Sequence, residues 1–362
     1  MIAVTGLGAV SPLGRDPETL FARLCAGQSA LSIVQGFPAK GPVAALGRRV
    51  TSSELALEVA RQAMPDHRGG ELAVVGASTS GDMSVGEKAF ATRLRGEVLE
   101  DPSNLFFRQL CHAPTRAVAE ALGASISFTL STACTSGLCA IGAAADLVHS
   151  GLVPMALAVG ADALCDITLA GFGTLGVYAP EPCRPFDRER QGMNIGEGAG
   201  ALLLEDLDHA LARNAPILAL LGRYSDTSDA HHLSAPHPEG EGAIRAIREV
   251  LDCPVQYVNA HATATRLNDE MEALALAATL PEAAISGSKG AIGHTLGAAG
   301  VLEAVVAIGA LRHQRLPPTV GCTDPEPELD IVLEAREAKI DAALTVNFAF
   351  GGNNAAAVFR RA

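Results

Sequence analysis

The feature of this chain that most restricts its fold is a helix without a polar face. Residues 136–150 read SGLCAIGAAADLVHS, and small or apolar side chains occupy almost every position around the helical wheel. Such a helix has to be covered on all sides by protein. The segment before it, 126–130, is a short run typical of a strand. Together the two segments predict a layered α/β protein with a central buried helix.

The same alternation of strand and helix patterns continues along the whole chain. Continuously apolar strands are typical of sheets that are covered on both faces. We predict strands at 2–7, 72–77, 126–130, 156–160, 201–205, 217–221, 255–259, 284–286, 344–348 and 355–359. We predict helices at 18–26, 53–64, 115–122, 136–150, 242–251, 269–279 and 298–314.

The chain also divides into two halves of similar pattern. A polar segment at 206–216, DLDHALARNAP, follows a predicted strand and marks the boundary. Each half begins with a strand and ends with a short apolar strand after a glycine-rich loop. We therefore expect residues 1–205 and 206–362 to form two related halves of one compact unit, because no long linker separates them.

Composition argues against several classes of function. The net charge of −13 opposes nucleic acid as the main partner, because phosphate binding needs cationic surface. The eight cysteines are scattered without a C-x-x-C pair, which indicates free thiols in a reducing, cytoplasmic setting. The first strand begins at residue 2 without a basic region before it, so we expect no signal peptide and no membrane span.

Cys134 lies in STACTSG, residues 131–137, where the predicted strand turns into the buried helix. Free N–H groups and the helix dipole at such a position favour the reactive thiolate, and the N–H groups can also stabilise a thioester oxyanion. The segments NAH at 259–261 and GH at 293–294 offer histidine partners. The alternative is a small buried hydrophobic residue, as most free cysteines are.

Seven segments, taken in order and spacing, go beyond a generic α/β pattern. They are VTGLG (4–8), STACTSG (131–137), PFDRERQG (185–192), NIGEGAG (194–200), NAHATAT (259–265), GSKGAIGH (287–294) and NFAFGGNN (347–354). Together they resemble the β-ketoacyl-[acyl-carrier-protein] synthases of the elongating, type II kind, from the first strand to the last few residues. The resemblance implies the thiolase-like α/β fold, in which two duplicated halves stack as α-β-α-β-α layers, and it implies a dimer.

The resemblance also implies a site of one cysteine and two histidines. Cys134 would accept the acyl group, and His261 and His294 would form the catalytic pair. Lys289 would support them. The N–H groups of Cys134 and Phe350 would form an oxyanion hole, with Phe350 as the gate beside the acyl pocket. The other residues that the resemblance assigns are the supporting acids Glu303 and Asp269 and the substrate-binding residues Thr263, Thr265 and Phe348.

The chemistry itself calls for these residue types. Loss of CO2 from a malonyl thioester leaves an enolate, whose oxygen needs hydrogen-bond donors that do not transfer a proton prematurely. Two neutral imidazoles meet this need, and an ammonium at Lys289 would oppose their protonation. No metal or organic cofactor is required. His231, His232 and His237 with Asp229 offer metal-ligand types, but this loop resembles a family segment near the substrate entrance.

Single positions separate relatives that have other chemistry. A thiolase needs a second cysteine near the C-terminal glycine loop, which here reads FGGNN at 350–354. Initiating enzymes have asparagine where this chain has His294. We therefore predict a 3-oxoacyl-[acyl-carrier-protein] synthase that condenses an acyl group on Cys134 with malonyl-acyl carrier protein, in fatty acid or polyketide synthesis. Three alternatives stay open: a specialised polyketide or polyene ketosynthase in a heterodimer, a non-catalytic partner like a chain-length factor, and a cysteine hydrolase.

The sequence departs from the family pattern at three places. The stretch between residues 34 and 131 is shorter than usual. Ala262 and Ala264 stand where glycine and serine are usual. Ala349 replaces a glycine of the gating loop, which predicts a stiffer Phe350 gate and an altered preference for acyl chain length.

An acidic acyl carrier protein cannot dock on an acidic chain without a local cationic patch. Arg48, Arg49 and Arg61 lie just before or on the predicted helix at 53–64 and are the candidates. The same residues would also suit a solvated helix face. We expect a homodimer, and a heterodimer is the alternative.

Overall fold

We describe a computed structural model of the chain, in which residues 1–47, 49–64 and 71–362 are placed. Its strands are β1 Ile2–Val10, β2 Leu31–Ser32, β3 Val43–Ala44, β4 Leu72–Ala77, β5 Ile126–Leu130, β6 Met155–Asp162, β7 Gly198–Asp206, β8 Ala219–Ser228, β9 Tyr257–Ala260, β10 Ala284–Gly287, β11 Arg315–Leu316, β12 Arg336–Glu337, β13 Ala342–Ala349 and β14 Asn353–Arg360.

The helices complete this list. They are α1 Pro17–Cys25, α2 Ser52–Ala63, α3 Met83–Leu94, α4 Pro102–Arg108, α5 Ala113–Leu122, α6 Ser136–His149, α7 Asp166–Thr174, α8 Leu207–Ala212, α9 Glu241–Val250, α10 Arg266–Thr279, α11 Lys289–Ile292 and α12 Ala299–His313, with 3-10 turns at Ala133–Thr135 and Leu296–Ala298. Every predicted strand and helix is present, and β8 runs further than expected, to Ser228.

The two halves of the chain have the same sheet topology. In the first half the strand order is β5-β4-β6-β7-β1, and in the second half it is β10-β9-β13-β14-β8. In each series the first three strands run parallel to one another. The fourth strand pairs antiparallel with the third, and the fifth pairs antiparallel with the fourth. A short antiparallel pairing of Ile2–Val4 with 219–221 joins the two series edge to edge. The division at 205/206 itself stays a prediction.

The buried helix predicted from the sequence lies at the centre of the molecule. α6 and α12 pack side by side and contact both halves of the sheet, while α2 and α5 cover the first half and α9 covers the second, with α10 packed beside it. This gives the predicted α-β-α-β-α layers. α6 and α12 approach at Gly137 and Gly300: a Cβ placed on Gly137 would lie 2.7 Å from the Val301 nitrogen.

Local signals explain where the outer helices begin. Asp16 accepts a hydrogen bond from the Thr19 N–H at the start of α1, and Pro17 fits the first helical position. Thr51 and Glu54 form a reciprocal capping box at the start of α2. α6 has no side-chain cap and begins directly after the 3-10 turn Ala133–Thr135.

Five helices were not predicted: the short α8 and α11, and the longer α3, α4 and α7. α4 has no buried residue, and the hydrophobic pattern of α7 has no clear face because Gly171 and Gly173 interrupt it. Their formation therefore depends on neighbouring elements rather than on a local pattern. The polar boundary segment at 206–216 also contains a helix, α8, whose N-terminus Asp206 caps.

The stretch Leu296–His313 is long and apolar enough to cross a membrane by length and composition. In the fold, 89% of it is buried inside the protein, because it includes the central helix α12. Burial of this kind is typical of the core helix of a folded domain.

Candidate active site

The candidate residues meet where the parallel strands end. Cys134 follows β5, His261 follows β9, and Lys289 and His294 follow β10. Because β5 and β10 hold equivalent places in the two halves, Cys134 and His294 lie in equivalent strand-to-helix connections. The Cys134 Sγ and one ring nitrogen each of His261 and His294 all lie within 4.8 Å of one another. The sequence therefore predicted correctly which side chains come together.

Cys134 is held in a tight turn between β5 and α6. Ala133 has φ +51°, a left-handed conformation that side chains rarely adopt, and residues 133–135 form a 3-10 turn. The backbone N–H groups of Phe350 and Cys134 itself reach the sulfur. These are the two donors expected to form an oxyanion hole.

His294 is held in one tautomer by the backbone. The Leu296 N–H donates to Nδ1 of His294 over 3.2 Å, so the proton of the neutral ring lies on Nε2. That Nε2 lies 3.0 Å from the Cys134 Sγ and therefore donates a hydrogen bond to it.

His261 has the same tautomer as His294, but side chains rather than the backbone fix it. Nδ1 of His261 lies 3.0 Å from Nδ2 of Asn347 and 3.2 Å from Nζ of Lys289. Nδ2 of Asn347 also donates to Glu303 Oε2 over 2.6 Å, which requires the amide nitrogen on that side. Nδ1 of His261 therefore accepts, and its Nε2 carries the proton. Asn347 was quoted from the sequence only as part of a motif, and this role was missed.

Lys289 connects His261 to Glu303. Its Nζ donates to the His261 carbonyl oxygen over 2.5 Å and pairs with the Glu303 carboxylate. Both side chains of the ion pair are almost completely buried. A buried pair of this kind is costly to break on one side only, because the remaining charge has no partner.

Both imidazoles are neutral at physiological pH. Burial, reinforced by the charge of Lys289, holds the pKa of His261 and of His294 well below the ordinary value. Burial is thus the larger cause of the lowered pKa values, and the Lys289 ammonium, which was the cause expected from the sequence, is the second.

The helix N-terminus, which was expected to favour a thiolate at Cys134, does not outweigh the burial of the sulfur. Burial of the sulfur raises the pKa of the Cys134 thiol to about 11, and the opposing effects of Lys289 and of the Phe350 and Cys134 N–H groups are smaller. The thiol is therefore protonated at neutral pH. A helix N-terminus favours an anion, but here the desolvation of the sulfur outweighs it.

Two buried acids hold the backbone of the His261 loop. Glu272 accepts from the N–H groups of His261 and Ala262 over 2.6 and 2.7 Å, and Asp269 accepts from the Ala264 N–H over 3.1 Å. Ala262 and Ala264 have φ of +43° and +65°. Asp269 therefore supports the His261 loop by binding its backbone. Glu272, which was not predicted, does the same.

A cavity of about 310 Å³ opens from Cys134 to the surface. Thr263 and Thr265 line it, with their hydroxyl oxygens 3.0 Å apart, and Phe348 packs edge-on to His261. Phe350 is partly exposed and stacks against Phe172 of α7, with ring centroids 6.3 Å apart. The lining thus contains a polar side and an aromatic side.

The site does not suit a metal ion. Among the placed residues, Cys134, His261 and His294 form the one group of three or more ligand-type side chains close enough to hold one. Each ring, however, carries its proton on the nitrogen that faces the cavity. A metal would have to displace that proton onto Nδ1, which already accepts hydrogen bonds from donors.

The arginines proposed for carrier docking differ in their surroundings. Arg49 pairs with Asp166 at the start of α7 over 2.9 Å and lies over the Phe37 ring, so it is occupied within the chain. Arg61 is exposed on α2. Arg48 lies outside the described residues. Arg266, which was not predicted, lines the mouth of the cavity at the first position of α10.

Comparison with known proteins identifies relatives over the whole chain. The family model described as "Beta-ketoacyl synthase, N-terminal domain" matches residues 49–210, and "Beta-ketoacyl synthase, C-terminal domain" matches residues 218–323. A putative mitochondrial 3-oxoacyl-[acyl-carrier-protein] synthase of Schizosaccharomyces pombe is 30% identical, over 99% of each chain. The 3-oxoacyl-[acyl-carrier-protein] synthase 2 of Synechocystis sp. is also 30% identical, over 99% of this chain and 98% of its own.

Solved structures agree with the sequence comparison. The ishigamide ketosynthase/chain length factor is 31% identical, with a TM-score of 0.91 over 100% of this chain and 99% of its own. A β-ketoacyl synthase from Burkholderia phymatum is 29% identical, with a TM-score of 0.92 over the same shares. A ketosynthase in complex with its chain length factor, from Xenorhabdus doucetiae, contains a chain that is 28% identical, with a TM-score of 0.88 over 100% of this chain and 98% of its own.

Proposed function

Since this chain belongs to the β-ketoacyl synthase family of acyltransferases, we propose that it is a 3-oxoacyl-[acyl-carrier-protein] synthase that extends an acyl group by two carbons. In this proposal its substrates are an acyl thioester and the malonyl thioester of an acyl carrier protein. The relatives named 3-oxoacyl-[acyl-carrier-protein] synthase support the carrier protein. The protonation states of Cys134, His261 and His294 define the steps below.

In the first step the acyl group moves to Cys134. The sulfur attacks the thioester carbonyl carbon, the bond from that carbon to the carrier's sulfur breaks, and the thiol proton ends on the departing sulfur. The Nε2–H of His294, 3.0 Å away, stabilises negative charge as it grows on Sγ. The N–H groups of Cys134 and Phe350 hold the oxyanion.

In the second step malonyl thioester takes the place of the departed carrier. Its carbonyl oxygen accepts hydrogen bonds from the Nε2–H of His261 and of His294, and CO2 leaves as the enolate forms. The enolate carbon then attacks the acyl carbon on Cys134, the carbon–sulfur bond breaks, and the sulfur takes up a proton from solvent. Neutral rings suit this step because they donate without protonating the enolate carbon.

The observation that carries the proposal is the agreement of the two tautomers. Nδ1 accepts in both rings, from the Leu296 N–H in His294 and from Asn347 and Lys289 in His261. Each ring therefore presents an N–H to the cavity, where the enolate oxygen would form. A cysteine hydrolase also needs a histidine nitrogen that takes a proton from the attacking water. Both nitrogens that face the cavity already carry a proton, so this arrangement favours condensation.

The test is to incubate the protein with acyl- and malonyl-carrier protein and to measure mass. We expect a gain of acyl mass on wild-type protein, none on Cys134→Ala, and a product two carbons longer than the primer. A matched control is Cys165→Ala, because Cys165 is buried beside Thr168 and does not line the cavity. Release of free acid would favour the hydrolase, and the absence of any acyl gain would favour a non-catalytic partner.

The retained cysteine and both histidines also favour a catalytic subunit over a non-catalytic one. Two of the similar structures are of a ketosynthase and a chain length factor. A specialised ketosynthase that works in a heterodimer is therefore the second candidate function. Mass measurement over several primer lengths, with the protein alone and with a co-expressed partner, separates the two candidates. All eight cysteines are free, which supports a cytoplasmic location.

A further inference from the structure

Asp162, at the end of β6, is a buried carboxylate that the proposed mechanism does not use. Its side chain is 1% exposed, and no ion pair to it occurs in the part of the chain that the structure describes. It accepts hydrogen bonds instead from the loop that follows β4: from Ser78 Oγ, from Thr79 N and Oγ1, and from Ser80 N and Oγ, all between 2.7 and 3.1 Å.

One further bond connects this carboxylate to the other half of the chain. The Gly297 N–H donates to Asp162 Oδ2 over 2.7 Å. Gly297 lies in the 3-10 turn Leu296–Ala298, one residue after the Leu296 N–H that fixes the tautomer of His294. Leu296 itself has φ +54°, so this turn is strained. Such a conformation persists only where surrounding contacts hold it, and the bonds of the Leu296 and Gly297 N–H groups are two of these contacts.

We infer that Asp162 is a positioning residue for His294, which it holds in the Nε2–H tautomer through Gly297 and the Leu296 turn. The inference rests on the role proposed for His294. His261 has no such dependence, because Asn347 and Lys289 set its tautomer. The two rings should therefore respond differently to a change at residue 162.

Asp162→Asn is the decisive variant because an amide cannot replace this carboxylate. Oδ1 accepts from the Ser80 N–H and Oδ2 from the Gly297 N–H, so the NH2 group of asparagine faces a backbone donor in either orientation. Thr79→Val is the matched control. It removes the Thr79 hydroxyl bond to the same Oδ2 and leaves the Gly297 bond intact.

The experiment records two-bond ¹H–¹⁵N spectra of histidine-labelled protein and the rate of CO2 release from malonyl-carrier protein. In D162N we expect His294 to lose its single tautomer while His261 keeps its own, and kcat for CO2 release to fall about 100-fold with little change in KM. T79V should keep both tautomers and most of the rate. An unchanged His294 in D162N, or equal changes in both rings, would overturn the inference.

The wild-type protein provides a second test if D162N does not fold. Because the carboxylate holds the Gly297 N–H, its hydrogen exchange should require global unfolding. Exchange through local opening, or a His294 proton on Nδ1, would also overturn the inference. A wild-type protein that releases no CO2 would contradict the proposed function instead, and the tautomer measurement would still stand.

Discussion

At the scale of single residues, the site depends on which nitrogen of each imidazole carries the proton. Cys134, His261 and His294 could be predicted from the sequence because they stand in motifs. The residues that set the tautomers could not, because Asn347 lies in a strand and the Leu296 N–H belongs to the backbone. The protonated state of Cys134 was also beyond the sequence, since it depends on how deeply the sulfur is buried.

The charge of Lys289 should be visible in the pH dependence of decarboxylation. It lowers the pKa of both histidines, so its removal raises both values and more imidazolium forms at a given acidic pH. We use Lys289→Met with Glu303→Gln, which leaves no buried charge unpaired. The acid limb of CO2 release, followed between about pH 5 and about pH 8, should move to higher pH.

Lys289→Arg serves as the control for this variant. It keeps a cation beside His261 and opposite Glu303, so its acid limb should stay near that of the wild type. If the acid limb of the double variant coincides with the wild-type limb, the charge of Lys289 does not keep the rings neutral, and burial alone accounts for it.

Two alanines replace usual family glycines, and the structure predicts different responses to glycine. Ala262 has φ +43°, where an L-residue costs about 1–2 kcal/mol, whereas Ala349 is not in the left-handed region. Ala262→Gly should therefore be at least about 1 kcal/mol less destabilising than Ala349→Gly in denaturant unfolding. Equal losses in the two variants would contradict this.

The predicted stiffness of the Phe350 gate stays a prediction. Ala349→Gly also tests it, because the added freedom should broaden the range of acyl lengths accepted. An unchanged acyl profile in this variant would show that Ala349 does not set chain-length preference.

At the scale of secondary-structure elements, the sequence predicted the strands and helices that pack in the interior and missed helices that lie largely at the surface. The burial of α6 followed directly from its apolar pattern, whereas α12 was predicted as a helix without a statement about its burial. α3, α4 and α7 were missed because few of their residues are buried, so no periodic stripe marks them. The stretch between residues 34 and 131 was expected to be shorter than usual, but the pairing of Arg49 with Asp166 of α7 was not predicted.

The close approach of α6 and α12 predicts a large effect of one methyl group. A Cβ on Gly300 would lie 2.6 Å from both the Leu138 nitrogen and Asn347 Oδ1, so Gly300→Ala has to push the helices apart. We expect a loss of about 2–3 kcal/mol in the free energy of unfolding. CO2 release should also fall, because the Asn347 amide beside His261 has to move.

Gly171→Ala is the matched control for Gly300→Ala. Gly171 lies inside α7 with open space around the position of a Cβ. Alanine there should stabilise the protein by about 0.5–1 kcal/mol, the ordinary gain in a helix. If both variants change stability by the same amount, α6 and α12 can accommodate a methyl group at residue 300 without moving apart.

At the scale of the whole molecule, the two outer edges of the sheet differ. Beyond β10, the backbone of Ile285 bonds to residues 330 and 332, so this edge is covered. β5 forms the opposite end of the sheet, and none of the placed residues pairs with its outer edge. Phe128 on β5 is 39% exposed. An apolar, unpaired edge strand is a site for association, and we propose that the expected dimer forms there.

Phe128→Lys should therefore shift the protein from dimer to monomer in light scattering. A charge on an edge strand opposes edge-to-edge pairing, and position 128 is exposed, so the fold should persist. Leu211→Lys, at an exposed position on α8, is the control and should leave the dimer intact. A wild-type monomer would favour a heterodimer with another chain, and a dimeric F128K would place the interface elsewhere.

The assembly of the site from both halves has a consequence for protein synthesis. The thiol at residue 134 leaves the ribosome well before the histidines at 261 and 294. A nascent chain, or a fragment that ends after β7, carries the proposed nucleophile without either histidine and without the Phe350 N–H. Under the proposed mechanism, catalytic competence therefore arises only once the chain has been synthesised beyond residue 350.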